Sequence, residues 1–264
     1  MTADATLARR ALRLLDLTNL DDSCTENAID ALCARALDPR GPVAAVCIWP
    51  QFIKLARRHL VGSPVRVATV ANFPSGDEDL DRVLDGVREA LRDGADEIDF
   101  VIPYRALIAG EQEPVHRAVE AVRDEIAGGA LLKVILETGE LATPDRIAIA
   151  SRIAIAAGAD FIKTSTGKTK VSATPEAVDI MLAAIREADR PVGLKPSGGI
   201  RTLEDARRYI DQAEAVMGQG WATPATFRIG ASGLYDALIA AIDGRASDAP
   251  AAATPTPPVA GGSY

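Results

Sequence analysis

The chain has 264 residues, 48% of them apolar and 25% charged, with a formal net charge of −8 and a sequence pI near 4.9. That balance is ordinary for a globular protein; it argues against a nucleic-acid partner, since no basic stripe interleaved with aromatics is present, and no apolar run approaches the roughly 18 residues of a membrane span. Three cysteines (Cys24, Cys33, Cys47) without metal-ligand spacing and only two histidines (His59, His116) point to reduced thiols in a cytoplasmic protein, with no metal site and no histidine-based triad.

Eight short β-like runs alternate with helix-length segments of 3.6-residue periodicity. The strands are expected at 13–18 (RLLDLT), 43–49 (VAAVCIW), 65–71 (VRVATVA), 97–102 (EIDFVI), 131–137 (LLKVILE), 160–164 (DFIKT), 192–195 (VGLK) and 227–230 (FRIG). Thr143-Pro144 and Thr174-Pro175-Glu176 place a capping residue before a proline at the first helical position. Thr202 with Asp205 resembles a capping box. A weak internal repeat closes two helices: Gly94-Ala-Asp96 before strand four and Gly158-Ala-Asp160 before strand six. In each, glycine can take the left-handed position that ends a helix. Eight such units predict an α/β fold, a single-domain (β/α)8 TIM barrel over residues 1–244. A doubly wound sheet is the alternative, but no G-x-G-x-x-G follows strand one. Residues 245–264 read RASDAPAAATPTPPVAGGSY, a flexible or polyproline-like tail. It is either a plain terminus or a tether that delivers Tyr264.

Barrel strands face helices outside and one another inside, so ionisable strand residues must point inward. Alternation places Asp16, Cys47, Glu97, Asp99, Lys133, Lys163 and Lys195 in the interior. One reading is a buried ion-pair network that stabilises the barrel; for Glu97 and Lys133 taken singly it is the stronger one. Lys163 and Lys195 differ, because each lies near the C-terminal end of its strand, where barrel active sites form, and each is followed by a glycine-bearing loop.

Neighbouring strands are about 4.8 Å apart, so two ammonium groups on strands six and seven come within about 6 Å. At an effective dielectric near 20 their repulsion is about 3 kcal/mol, which lowers a lysine pKa by about two. Partial desolvation acts in the same direction and nearby carboxylates oppose it. A neutral lysine can form an imine with a carbonyl substrate, and the imine permits carbon–carbon bond making or breaking. Asp99 is the best-placed proton shuttle, directly or through water. Ser197-Gly198-Gly199 after strand seven and Gly230-Ala-Ser232-Gly233 after strand eight occupy the loops that often bind phosphate in barrels, although glycines also serve plain turns. Arg201 is either a phosphate contact or a helix-surface charge.

The phrases LDLTNL (15–20), AVCIWP (45–50), ATVANFP (68–74), GADEID (94–99), KVILETGE (133–140), FIKTSTGK (161–168), KPSGG (195–199) and RIGAS (228–232) occur in one order. Through them the chain resembles the 2-deoxy-D-ribose-5-phosphate aldolases, class I aldolases of the DeoC family. The resemblance implies reversible cleavage of deoxyribose 5-phosphate to acetaldehyde and glyceraldehyde 3-phosphate, no metal or organic cofactor, and a homodimer. It implies that Lys163 is the Schiff-base lysine, Lys195 its pKa-lowering neighbour and Asp99 the proton-transfer residue. Asp16, Thr18, Cys47, Lys133, Thr166 and Lys168 match further pocket positions. Gly167, Gly198, Gly199 and Ser232 match the phosphate loops, with the Gly233 backbone N–H beside them. Tyr264 resembles a mobile C-terminal tyrosine that assists proton transfer. One departure stands out: Gly233 replaces a serine of the family's glycine-alanine-serine-serine run, which implies weaker phosphate affinity and greater tolerance of unphosphorylated aldehydes. A transaldolase-like or keto-acid aldolase barrel and a non-catalytic phosphosugar-binding barrel are the competing readings.

Overall fold

The computed structural model describes residues 2–77, 79–126 and 129–245. Eight parallel strands form a ring: β1 (Leu15–Asn19), β2 (Ala45–Ile48), β3 (Arg66–Ala71), β4 (Glu97–Val101), β5 (Leu131–Ile135), β6 (Phe161–Lys163), β7 (Gly193–Lys195) and β8 (Ile229–Ala231). Strands consecutive in sequence are neighbours from β1 to β7, and β1 also pairs with β8. Two bridges, Leu194 with Phe227 and Ser197 with Gly230, close the last gap. There Leu194 N–H donates to Thr226 O at 2.9 Å and Arg228 N–H to Leu194 O at 3.0 Å. The expected (β/α)8 barrel is the observed fold.

Strand boundaries move slightly from the sequence reading. Arg13 belongs to the helix Ala3–Arg13, which Thr2 caps by accepting from Ala5 N–H. Leu136 and Glu137 leave β5, because Glu137 takes a left-handed backbone with φ 56°. Outward strand residues such as Leu15, Val46, Ile98, Leu132 and Leu194 are fully buried against helices, and each such burial contributes about 1.5–3 kcal/mol. The predicted caps form: Thr143 accepts from Arg146 N–H, Thr174 from Ala177 N–H, and Thr202 with Asp205 makes a complete capping box. Each cap is worth about 1 kcal/mol.

The repeated Gly-Ala-Asp phrase does the same work twice. Gly94 and Gly158 have φ of 101° and 100°, a region costly for residues with a β-carbon. The following aspartates then fasten the neighbouring strand. Asp96 Oδ2 accepts from Val67 N–H at 2.8 Å and Arg57 at 2.7 Å. Asp160 Oδ2 accepts from Leu132 N–H and Arg123, both at 2.8 Å. The arginine stems lie over the glycines, so an added β-carbon meets Arg57 Cγ at 3.3 Å and Arg123 Cγ at 2.8 Å. Among the described residues no helix is long and apolar enough to cross a membrane.

Candidate active site

Strand alternation and register bring the predicted charged residues together inside the ring. Asp99 is in register with Lys133, and Lys163 with Lys195. Asp99 is the hub: Oδ1 accepts from Lys133 Nζ at 2.8 Å, while Oδ2 accepts from Lys163 Nζ at 2.8 Å and Lys195 Nζ at 2.7 Å. Lys195 also lies 2.6 Å from Asp16. Lys133 lies 2.6 Å from Glu97 and 3.5 Å from Asp16. Beneath them Arg228, which the sequence reading did not single out, reaches Asp16 at 2.8 Å and Glu97 at 2.9 Å.

Two glycines make room for side chains inside the ring. A β-carbon on Gly230 would fall 2.2 Å from Ser197 Oγ and 3.0 Å from Lys195 Cε; one on Gly193 would fall 2.3 Å from the Phe161 ring. Neither glycine has a positive φ, so space and not backbone freedom requires them. An alternation of strand residues reveals the charges but gives no sign of which glycine faces a lysine stem.

The cluster holds four cations (Lys133, Lys163, Lys195, Arg228) and three carboxylates (Asp16, Glu97, Asp99). The lysines are not compensated equally. Lys133 has three carboxylate neighbours, Lys195 has two, and Lys163 has Asp99 alone, shared with both others. Burial, opposed by Asp99 and assisted by Lys195, holds Lys163 below the usual lysine range. Burial also disfavours the charged forms of Lys195 and Lys133, but their carboxylates reverse it and raise both. Burial tends to raise Asp16 and Asp99, and the surrounding cations overcome it to hold both well below the carboxylate range. Neutralising one cation balances the interior, and Lys163 is the one its surroundings neutralise most readily. Desolvation thus leads, with Lys195 repulsion behind it, the reverse of the emphasis in the sequence reading.

A cavity of about 250 Å³ opens above the cluster at the C-terminal ends of the strands. Lys163, Thr18, Thr166, Gly167, Lys168, Gly198, Gly199, Ser232 and Gly233 line it, together with Arg201, Ser197 and Gly230. Asp16, Cys47, Asp99, Lys133 and Lys195 are fully buried below and do not line it. Lys163 is therefore the one lysine of the buried cluster that reaches the cavity. Cys47 Sγ sits 4.0 Å from Asp99 Oδ2, and burial pushes its thiol up, so it is a neutral wall of the cluster. Gly167 and Gly198, with φ of 79° and 83°, face each other across the cavity rim. An added β-carbon on Gly198 would fall 3.3 Å from Gly167 Cα. Their left-handed backbone and close approach both require glycine. Tyr264 lies outside the described residues. A larger groove of about 510 Å³, between Trp49–Gln51, Val70–Phe73 and the helix Leu80–Arg92, contains no member of the ion cluster.

The DeoC/LacD family aldolase profile matches residues 10–233. The chain belongs to the DeoC/LacD family of aldolases. A deoxyribose-phosphate aldolase of Agrobacterium fabrum is 53% identical over 238 residues, covering 90% of this chain and 92% of that one. A crystal structure from Coccidioides immitis, assigned as a deoxyribose-phosphate aldolase, superimposes with a TM-score of 0.77 at 33% identity, over 90% of this chain and 86% of that one. The tetrameric deoxyribose phosphate aldolase of Aeropyrum pernix gives a TM-score of 0.71 at 27% identity, over 91% and 92% of the two chains. In this DeoC/LacD aldolase, then, one buried lysine at the cavity floor is singled out by its charge environment.

Proposed function

We propose that the chain cleaves 2-deoxy-D-ribose 5-phosphate reversibly to acetaldehyde and D-glyceraldehyde 3-phosphate through an imine on Lys163. The observation that carries this is the asymmetry among the three buried lysines. Lys163 touches the cavity, has the fewest carboxylate neighbours and is shifted toward the neutral amine. A neutral Nζ attacks the substrate aldehyde carbon, forming the C–N bond, and loss of water gives the iminium. The iminium draws the electron pair of the C2–C3 bond, which breaks to give an enamine. The C3 hydroxyl loses its proton and leaves as the aldehyde of glyceraldehyde 3-phosphate. Protonation of the enamine carbon and addition of water release acetaldehyde and restore Lys163.

We assign the proton steps to Asp99, which contacts Lys163 Nζ directly and reaches the substrate through water, since it does not line the cavity. Lys195, held charged by Asp16 and Asp99, keeps a positive charge beside Lys163. The phosphate is proposed to sit among Gly167, Gly198, Gly199, Ser232 and Gly233, with Arg201 and Lys168 on the rim. The helix Leu234–Ile242 begins there, and its N-terminus favours an anion. Tyr264 is proposed to supply a proton to the enamine. Arg245 follows that helix, whose far end is tied through Asp243 to Arg40, ahead of β2. The 19 residues after Arg245 span on the order of 60 Å when extended, enough to pass a nine-residue helix of about 14 Å. A homodimer and a cytoplasmic location stand as further proposals; light scattering and fractionation on the full chain check them.

Borohydride trapping tests the central reading. The enzyme is incubated with acetaldehyde, reduced and mapped by mass spectrometry. The adduct is expected on Lys163 and absent from Lys163→Arg. An adduct elsewhere, or none, refutes the assignment. Removal of Tyr264 is expected to slow exchange of the acetaldehyde methyl protons with solvent; an unchanged rate removes its role.

A further inference from the structure

We propose that Glu137 is a positioning residue for the substrate phosphate: its carboxylate ties down the loop that carries Thr166, Gly167 and Lys168 into the cavity. The inference rests on the phosphate assignment above and adds a residue that lies outside the cavity lining. Glu137 is fully buried. Its partners are the backbone N–H of Thr166 at 3.3 Å, the hydroxyl of Thr166 at 2.5 Å and the hydroxyl of Thr169 at 3.2 Å. All three belong to the segment after β6. No cation supplies a contact in this set, so the carboxylate is desolvated for neutral donors, a costly arrangement.

The backbone is strained in the same place. Glu137 has φ 56° and ψ 59°, a conformation that non-glycine residues hold only when their surroundings over-determine it. The surroundings do so. Thr138 N–H donates to Thr164 O at 2.9 Å, and a β-carbon on Gly139 would fall 2.1 Å from Val171 O. The turn after β5 is thus laid directly on the segment 164–171, fastened at three consecutive residues. The segment's far side meets the β7 loop, where a β-carbon on Gly198 would fall 2.5 Å from Ser172 Oγ. Glu137 is the polar half of this clamp. It fixes the amide directions at Thr166 and the rim glycine, and leaves Lys163, one strand away and bonded to Asp99, in place.

A general structural role and a phosphate-positioning role predict different kinetics. Glu137→Gln preserves shape but presents one acceptor oxygen where two are used. Steady-state kinetics are measured on deoxyribose 5-phosphate and on deoxyribose, with inorganic phosphate as a competitive inhibitor. The expected result is a rise of about tenfold in KM for the phosphorylated sugar and an equal weakening of phosphate inhibition, the loss of a charge-assisted contact. The kcat stays within about threefold, and kcat/KM for deoxyribose within about twofold. Thr169→Val, which removes one donor at the half-buried end of the clamp, is expected to give a smaller loss of the same selectivity and keeps the test open should E137Q fold poorly. Equal losses on both sugars, or no change, overturn the inference. A wild-type enzyme that treats both sugars alike overturns the phosphate assignment itself, and this inference with it.

Discussion

Gly230 lies against Lys195: a β-carbon placed on the glycine would sit 3.0 Å from Lys195 Cε and 2.2 Å from Ser197 Oγ. The strand that closes the barrel is thereby bare where the lysine stem crosses it. Gly230→Ala is expected to displace Lys195 from Asp16 and Asp99, at an overpacking cost of about 1–3 kcal/mol. Thermal unfolding should shift down by several degrees and kcat/KM fall by at least tenfold. Ser197→Gly in the same background should recover only part of the loss. Wild-type activity in Gly230→Ala would show that the lysine stem has slack.

Replacing Lys195 by Met removes a positive charge beside Lys163 and frees Asp99 to act on Lys163 more strongly. Burial still lowers the Lys163 pKa, but the assisting repulsion is gone. The ascending limb of kcat/KM against pH is expected to move to higher pH, with kcat at neutral pH reduced about a hundredfold or more. A limb that stays in place would remove Lys195 from the control of Lys163.

Gly233 has room for a side chain. The nearest atom to an added β-carbon is Arg201 Cγ at 3.9 Å, and its φ of −96° suits any residue. Gly233→Ser is expected to lower KM for the phosphorylated substrate roughly tenfold, with kcat/KM for deoxyribose unchanged and stability altered by only a few tenths of a kcal/mol. An unaltered KM would place the phosphate elsewhere.

Acid should weaken the fold through Asp16 and Asp99. Both are held below the ordinary carboxylate range by neighbouring cations, so the native state binds fewer protons than the unfolded chain near pH 4. Their stabilisation is present above the unfolded pKa of about 3.9 and is lost progressively as pH falls through and below it. Glu137, shifted upward by burial, acts in the opposite sense. The urea midpoint is expected to drop between pH 6 and pH 3, and a flat profile would contradict the ion pairs.

The barrel and the buried charge cluster were legible because strand residues alternate. Asp16 and Asp99 each sit between apolar neighbours, and Lys163 and Lys195 each follow one, Ile162 and Leu194, which fixes a face without any knowledge of contacts. The relative standing of the lysines was not legible. It depends on how many carboxylates each touches, and Arg228, which takes part in holding Asp16 and Glu97, lies just ahead of β8, where no alternating run shows a face. Gly230 and Glu137 were hidden for a different reason. One acts by the volume it leaves empty, the other through a left-handed turn that no local phrase announces. Lys133, matched by resemblance to the pocket, lies under the cavity with three carboxylates around it.

The six charges beneath Lys163, three cations (Lys133, Lys195, Arg228) against three carboxylates (Asp16, Glu97, Asp99), act as a single solute. Deleting any one of them strands an unpaired ion in a place water does not reach, with a penalty that exceeds the worth of the missing contact. Activity lost on a lone substitution there therefore mixes chemistry with solvation. Matched exchanges that conserve the sum, such as Arg228→Met together with Glu97→Gln, separate the two. For anyone redesigning this aldolase, the unit of change below Lys163 is the neutral pair.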